Sequence, residues 1–484
     1  MSSSTHFPDS DNFQRQSDEF ATWLSSRAGV IVNSKIRIAD LRAKAAGRGV
    51  VAQADVDEDE ELFTIPRDLI LSTHNSKLKD LLSQDLEQLG PWLSLMLVMI
   101  FEYLLGDRST WAPYFRVLPQ SFDTLMFWSP AELEELQGSA VVEKIGKQGA
   151  EESILESIIP VVRANPALFP PVGGLASYDG DVGARTLLNL AHIMGSLIMA
   201  YAFDIEKPGN EDEREGEDGY LTDDEEEQSS KGMVPLADML NADADRNNAR
   251  LFQEEESLVM KAIKPIRAGE EIFNDYGEIP RSDLLRRYGY VTDNYAQYDV
   301  IELSLDTLCS SAGLSDSRVE NQPRLQFLEG LELLDDGYAI VKPSHNDTLP
   351  DIIPEELVVV LKTLTLSPEQ FAHQQQKRKP PKLAFGQEEA KILFDSILMS
   401  QKRYSTTIEQ DQQLLAQINQ FEASSPLEGY DRRRKMAIQV RLGEKEIFEA
   451  VKAKINDHFT NGSTSKRTAD SDGDDSRRTK VQRT

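Results

Sequence analysis

Two stretches of strand-like text, 35–72 and 233–277, flank a long region, about 75–205, that reads as helix. This order constrains the chain more than any other feature, because strands from both flanks must share a β domain built around a large insert. The first flank holds KIRIADLR (35–42), GVVAQ (49–53) and EELFTIPRDLILS (60–72), separated by Gly-Arg-Gly or by acids, a pattern of hairpins and corners rather than long sheets. The second holds MVPLADML (233–240), ARLFQ (249–253), SLVMKAIKPI (257–266) and EEIFNDYG (270–277). The fold class is therefore α+β.

Helices fill most of the remainder. Residues 13–28 place Phe13, Phe20, Trp23 and Leu24 on one apolar side. Inside the insert, SPAELEEL (129–136) has a serine N-cap, proline at the first helical position and early acids. The acidic stretch 206–231 cannot bury apolar area and reads as a disordered loop. Beyond about 300 the text is helical: PEELVVVLKTLTL (354–366) enters on proline, 388–404 carries Leu393 and Ile397 on one face, and 432–455 is long and amphipathic. This predicts a domain over 1–300 with the insert and acidic loop inside it, an all-α domain over 301–458, and a disordered basic tail over 459–484.

At 484 residues, with 40% hydrophobic and 28% charged side chains, the chain can build two or three domains. Its net charge of -30 argues against direct nucleic-acid binding and suits a basic protein partner. The single cysteine, Cys309, excludes an internal disulfide and has no activating neighbours in LDTLCSSAGL. Six scattered histidines give no zinc spacing, so no metal is expected. The N-terminus shows no signal peptide. The apolar run at 93–105 is too short for a bilayer and contains Glu102, so no membrane partner is expected either.

Three motifs could carry chemistry. AAGRGVVA (45–52) contains G-x-G-x-x-A, but the text after it reads as strand, turn and strand, which excludes a dinucleotide fingerprint. It leaves a tight glycine corner, either a plain turn or a backbone lying against a ligand. VPLADMLNADADRNNARL (234–251) ends an apolar run in Asn241, with Asn247 and Asn248 following; their amides suit a ligand that donates and accepts, or simply a turn. FNDYGEIPRSDLLRRYGYV (273–291) repeats a Tyr-Gly pair, Tyr276-Gly277 and Tyr288-Gly289, across a short helix.

In that order the three motifs resemble those of the SET-domain protein lysine methyltransferases. The resemblance is nearest the subgroup with a long helical insert and a Rubisco-methyltransferase-type substrate-binding domain, and within it the group of fungal ribosomal lysine methyltransferase 4 and SET domain-containing protein 6. RYSTTIEQDQQLL (403–415) and RRRKMAIQVRLGEKEIF (432–448) resemble that C-terminal domain. The resemblance implies a SET fold and S-adenosylmethionine as cofactor. It implies that Gly47, Arg48 and Gly49 meet the cofactor through their backbone, that Asn241 and Ala242 hold it, and that Tyr276 and Trp111 adjoin it. Tyr276 and Tyr288 are implied as the catalytic pair at the methyl-transfer channel, with Tyr114 and Tyr201 near the substrate lysine. Many relatives carry Asn-His where this chain has Asn241-Ala242, which removes an imidazole from the turn.

The implied reaction is methylation of a protein lysine, a single methyl group placed on a protein of the 60S ribosomal subunit, by a monomer. Alternative targets are a histone or a transcription factor; a different class would be a non-enzymatic acidic nuclear adaptor for basic proteins. Lys466-Arg467 followed by Arg477-Arg478-Thr479-Lys480 resembles a bipartite nuclear signal, and the expected location is the nucleus, with cytoplasm as the alternative.

Overall fold

The computed structural model describes residues 10–44, 46–206, 230–314, 317–319 and 322–471. The chain divides into two units: Met1–Trp128, Ile145–Ile279 and Asp283–Tyr295 form one, and Ser129–Lys144, Pro280–Ser282 and Ala296–Thr484 form the other.

In the first unit both flanks of strand text do meet. One sheet has the order β1 (Ile31–Val32), β4 (Glu61–Pro66), β9 (Ser257–Ala262), β8 (Ala249–Gln253). The other has β2 (Ile36–Asp40), β3 (Arg48–Ala52), β10 (Glu271–Asn274) and β7 (Asn241–Ala242). β5 (Ala202–Asp204) and β6 (Lys231–Met233) make a separate antiparallel pair. The glycine corner leads into β3 and not into a helix, as the rejected dinucleotide motif would have required.

MVPLADML departs from the strand reading. β6 stops at Met233, Leu236 takes φ 78°, and Ala237–Met239 form a 3-10 turn. A leucine at positive φ is sterically costly, so surrounding packing must hold it there. Lys231, the last residue of the acidic stretch, lies buried in β6 with its Nζ 2.9 Å from Asp204 Oδ1. Residues 207–229 lie outside the described residues.

Two helices fill the space beside the sheets, Ser83–Leu105 and Gly180–Tyr201, and they pack on each other. Length and composition alone would let either cross a membrane, but the first is broken at Gly90 (φ 71°), so its continuous apolar part is the short run read from sequence. What marks the first as core is burial: Leu95, Leu97, Val98, Met99 and Ile100 are wholly shielded, each contributing about 1.5–3 kcal/mol. Glu102 is tolerated among them because Ser76 and Ser109 hydroxyls donate to its two oxygens at 2.7 and 2.6 Å. The N-terminal helix, Ser10–Ser25, buries Phe13, Phe20, Trp23 and Leu24 as its periodicity predicts.

The second unit is helical except for one ribbon, β11 (Val300–Ser304) against β12 (Gly337–Val341), which the all-α reading does not include. Ser129–Lys144, read from sequence as part of the insert, packs in this unit: Arg433 reaches Glu132, and the Ser139 hydroxyl donates to Glu444 Oε1 at 2.6 Å. The helix at Pro130–Leu133 has the capping box that Ser129 and Glu132 foretell. The last helix runs Gly429–Ser471, past the start assigned to the tail; residues 472–484 lie outside the described residues.

Candidate active site

All the residues singled out for chemistry lie in the first unit. The parallel pairing of β7 with β10 sets Asn241 opposite Phe273 and Ala242 opposite Asn274, so the second and third motifs run side by side. β10 also pairs with β3, which brings the glycine corner to the same sheet.

Asn241 holds that corner. Its Nδ2 donates to Ala46 O and Arg48 O, both at 3.3 Å, and to Glu271 Oε1 at 2.7 Å. These acceptors fix the orientation of the amide and leave Oδ1 without a donor among the described residues. A Cβ on Gly49 would come within 2.5 Å of Leu41 Cδ1, 2.9 Å of Glu271 Oε1 and 3.0 Å of Asn241 Nδ2, so only glycine lets this pair approach the backbone. Gly47 adds a positive φ of 64°. This cradle fits a ligand held through backbone groups. The Arg48 side chain faces elsewhere: it donates to Ser17 Oγ, Val117 O and Phe13 O and lies 3.9 Å from the Phe13 ring centroid. Burial, with a smaller push from Arg42, lowers its pKa to about 10. Asn247 and Asn248 prove structural, spending their amides on Asp275, Glu271 O and Phe273 N.

Tyr276 and Tyr288 stack with ring centroids 4.2 Å apart and planes 8° from parallel, and Tyr290 meets Tyr288 edge-on at 6.5 Å. The glycines explain the repeated pair. Gly277 turns the chain at φ 78°, its N–H donating to Asp275 Oδ1 at 2.8 Å, and frees Tyr276 from the strand. Gly289, at φ 75°, presses on the backbone of Asp123 and Thr124, where a Cβ would come within 2.8 Å of the Thr124 nitrogen. Burial drives the Tyr276 phenol well above its usual range, and Tyr288, Tyr290, Tyr201 and Tyr295 add to the shift. Tyr276, Tyr288, Tyr290 and Tyr201 are nonetheless only half-buried, the condition of rings that line a space rather than fill a core.

A buried acid joins this group. Asp238, on the turn after Leu236, accepts from the Tyr114 hydroxyl through Oδ2, while its buried Oδ1 has no hydrogen-bond partner among the described residues. Burial pushes its carboxyl up to about 8, with Tyr114 and backbone hydrogen bonds pulling the other way. Tyr201 is pushed up to about 12 by burial and then by Asp238. Tyr201 is the electrostatic link between Asp238, held by Tyr114, and Tyr276, which Tyr288, Tyr290 and Tyr295 also influence; Asp238, Tyr290 and Tyr295 were missed by sequence reasoning. The signal for Asp238 was a single acid inside the apolar PLADML. Trp111 is buried in the core with its indole N–H committed to Leu69 O at 2.9 Å. Asp243 orders the turn after Ala242: burial raises its carboxyl, but bonds from Arg246 outweigh this and lower it, and Asn294 Nδ2 adds a bond at 2.8 Å.

Comparison with known proteins matches this geometry. A SET domain model covers residues 47–277, and a Rubisco LSMT substrate-binding model covers 318–448. Ribosomal lysine N-methyltransferase 4 of Saccharomyces cerevisiae is 36% identical over 71% of this chain and 71% of its own length. The chain is a SET-domain protein-lysine N-methyltransferase. N-lysine methyltransferase SETD6 of Homo sapiens is 31% identical over 83% of each chain. Rubisco LSMT bound to AdoMet shares the fold at a TM-score of 0.65 and 20% identity, with 92% of each chain covered. As a member of this SET family the protein uses S-adenosylmethionine as methyl donor, and the Gly47–Gly49 corner with the free Asn241 Oδ1 fits such a cofactor.

Proposed function

We propose that this methyltransferase places a single methyl group on a lysine of a 60S ribosomal protein. The kinship with a yeast enzyme named for ribosomal lysine methylation supports the target class. The observation that carries the chemistry is the stacked Tyr276–Tyr288 pair grouped with a buried, half-satisfied Asp238.

When bound, S-adenosylmethionine supplies an electrophilic methyl carbon. Gly47 and Gly49 would hold it through backbone groups and Asn241 through Oδ1, with Ala242 beside it. The substrate lysine arrives as an ammonium, which has no lone pair. Its entry between Tyr276, Tyr288 and Tyr201 strips water and lowers its pKa. Asp238 Oδ1, which has no hydrogen-bond partner among the described residues, receives the proton in its ionised form, whose share grows as pH rises towards 8. That lone pair would take the methyl carbon as its S–C bond breaks, leaving the donor as neutral S-adenosylhomocysteine and the positive charge on the methylated nitrogen. Tyr276 orients the amine through a hydroxyl that stays neutral, and Tyr288 limits the room to one added methyl. Alignment of this kind can supply about 7–11 kcal/mol at best. Tyr114 acts through Asp238, which its hydroxyl holds in place.

Incubating the full chain and labelled donor with 60S subunits and, separately, with core histones tests the target. Label on one or a few 60S lysines, each gaining a single methyl by mass spectrometry, is the expected result. Label confined to histones would discard the ribosomal target. A nuclear location is part of this reading and rests on Lys466-Arg467 and the second basic cluster. A fluorescent fusion of the whole chain that stays in the cytoplasm would remove it.

A further inference from the structure

Arg48 joins two parts of the first unit. Its carbonyl accepts from Asn241 Nδ2 in the glycine corner, while its side chain leaves the corner for the N-terminal helix, Ser10–Ser25. There all three guanidinium nitrogens are used. Nε donates to Ser17 Oγ at 3.0 Å, Nη2 to Phe13 O at 3.2 Å and Gln16 Oε1 at 3.3 Å, and Nη1 to Val117 O at 3.0 Å. The Ser17 hydroxyl donates to Phe13 O at 2.9 Å, which turns its lone pairs towards Arg48.

A second arginine repeats this grip from the other end of the loop. Arg42 follows β2 and Arg48 opens β3, and their guanidinium carbons lie 4.1 and 3.9 Å from the centroid of the same Phe13 ring. Asp40 fixes Arg42, accepting from its Nε at 2.9 Å and its Nη2 at 2.6 Å. Phe13 is 1% exposed, so the ring meets both cations away from water, where such contacts are strongest. Phe20 and Leu24 already anchor the helix by burial. The contacts of Phe13, Gln16 and Ser17 fall instead on the residue between the two corner glycines. Gly47 and Gly49 have no side chains to restrain their backbone. A ligand held through backbone groups binds tightly only where those groups are placed beforehand.

We infer that Arg48 and Phe13 are positioning residues for donor binding: docking of the N-terminal helix holds the Gly47–Gly49 backbone in the arrangement that takes S-adenosylmethionine. Linkage makes the effect mutual, so bound donor also holds the helix. The inference rests on the reading of this corner as the donor site and adds the helix as a second determinant of donor affinity.

Isothermal titration of S-adenosylmethionine into the full chain gives the first test. R48K keeps the charge but cannot reach acceptors in three directions; F13L keeps apolar bulk and removes the ring. Kd is expected to rise about tenfold in R48K and about fivefold in F13L, the scale of a lost charge-assisted hydrogen bond and a lost desolvated ring contact. V98A truncates a wholly buried side chain of the helix Ser83–Leu105 and lowers Tm, but its Kd should stay within about twofold of the unaltered protein. An unchanged Kd in R48K, or equal weakening in V98A, would overturn the inference. Hydrogen exchange reads the reverse direction. Saturating donor should slow amide exchange in residues 13–20 about tenfold in the unaltered protein and less than about twofold in R48K. A slowing that survives in R48K would reduce the effect to global stability and overturn the link. N241A, titrated alongside, separates the two readings. Normal binding by N241A would place the donor elsewhere and sink both. Weak binding by N241A with normal binding by R48K would leave the donor site standing and overturn the part of the helix alone.

Discussion

A phenol held well above its ordinary pKa cannot serve as a base near neutrality, so in the proposed mechanism Tyr276 works through the placement of its hydroxyl. Tyr276→Phe keeps the ring stacked on Tyr288 and deletes only that hydroxyl. Single-turnover methyl transfer is expected to fall about 10²-fold, as for loss of one oriented donor in an active site; an unchanged rate in a folded variant would remove Tyr276 from the mechanism. Asp238 makes a separate prediction from its carboxyl near 8. Its folded pKa lies above the unfolded one, so the folded state holds a proton the unfolded chain has released. This group's contribution to stability is therefore full below about pH 4 and is lost as pH rises to about 8. In the proposed mechanism activity runs the opposite way, since the ionised form accepts the proton. Asp238→Asn should lose the rise in rate around pH 8 and transfer methyl more slowly at every pH, while becoming less sensitive to alkali in thermal melts. A variant with the unaltered pH–rate profile would exclude Asp238 as acceptor. At this scale Tyr276 and Tyr288 were legible because each precedes a glycine at a turn. Asp238 was not, because a carboxylate's burial depends on what packs over the turn.

Among elements, the helices of the second unit were the most readable, since caps and periodicity are local. Ser129 caps Pro130–Leu133, and Thr407 caps Ile408–Glu422 with Gln410 completing the box. The segment after β6 was misread as strand because its apolar letters outweighed any visible stop, while Leu236 at φ 78° owes its conformation to its surroundings. What joins helices 408–422 and 429–471 was also hidden. Asp411, wholly buried, takes Arg441 Nη2 at 2.8 Å and Lys445 Nζ at 2.6 Å. Burial raises the Asp411 carboxyl, but those two partners outweigh it and the carboxyl lies below its usual range. Asp411→Ala would take the only ion-pair partner among the described residues from Lys445 and leave Arg441 with Glu135 alone, and should cost about 3–5 kcal/mol in denaturant unfolding followed by circular dichroism. A loss below about 1 kcal/mol, the size of an exposed pair, would show the network to be dispensable.

For the whole molecule, a donor that binds only the folded state must raise its stability. At a hundredfold excess over Kd, S-adenosylmethionine should add about 2.7 kcal/mol, read as a rise in Tm; Asn241→Ala should shrink that rise, because the amide both ties the corner and offers Oδ1. No rise at saturation would contradict binding at this corner. The chain's letters alone determined the alternation of β and helical text, the glycines at each sharp turn and the caps, because these depend on neighbours within a few residues. They also determined the order of motifs that betrays the family. Only the tertiary structure decided that Asn241 and the Gly47–Gly49 corner share one sheet, that Ser129–Lys144 packs with the C-terminal helices, and that Asp238 and Glu444 are buried acids. Those facts arise where segments distant in sequence exclude water together, and no local pattern records which segments those are.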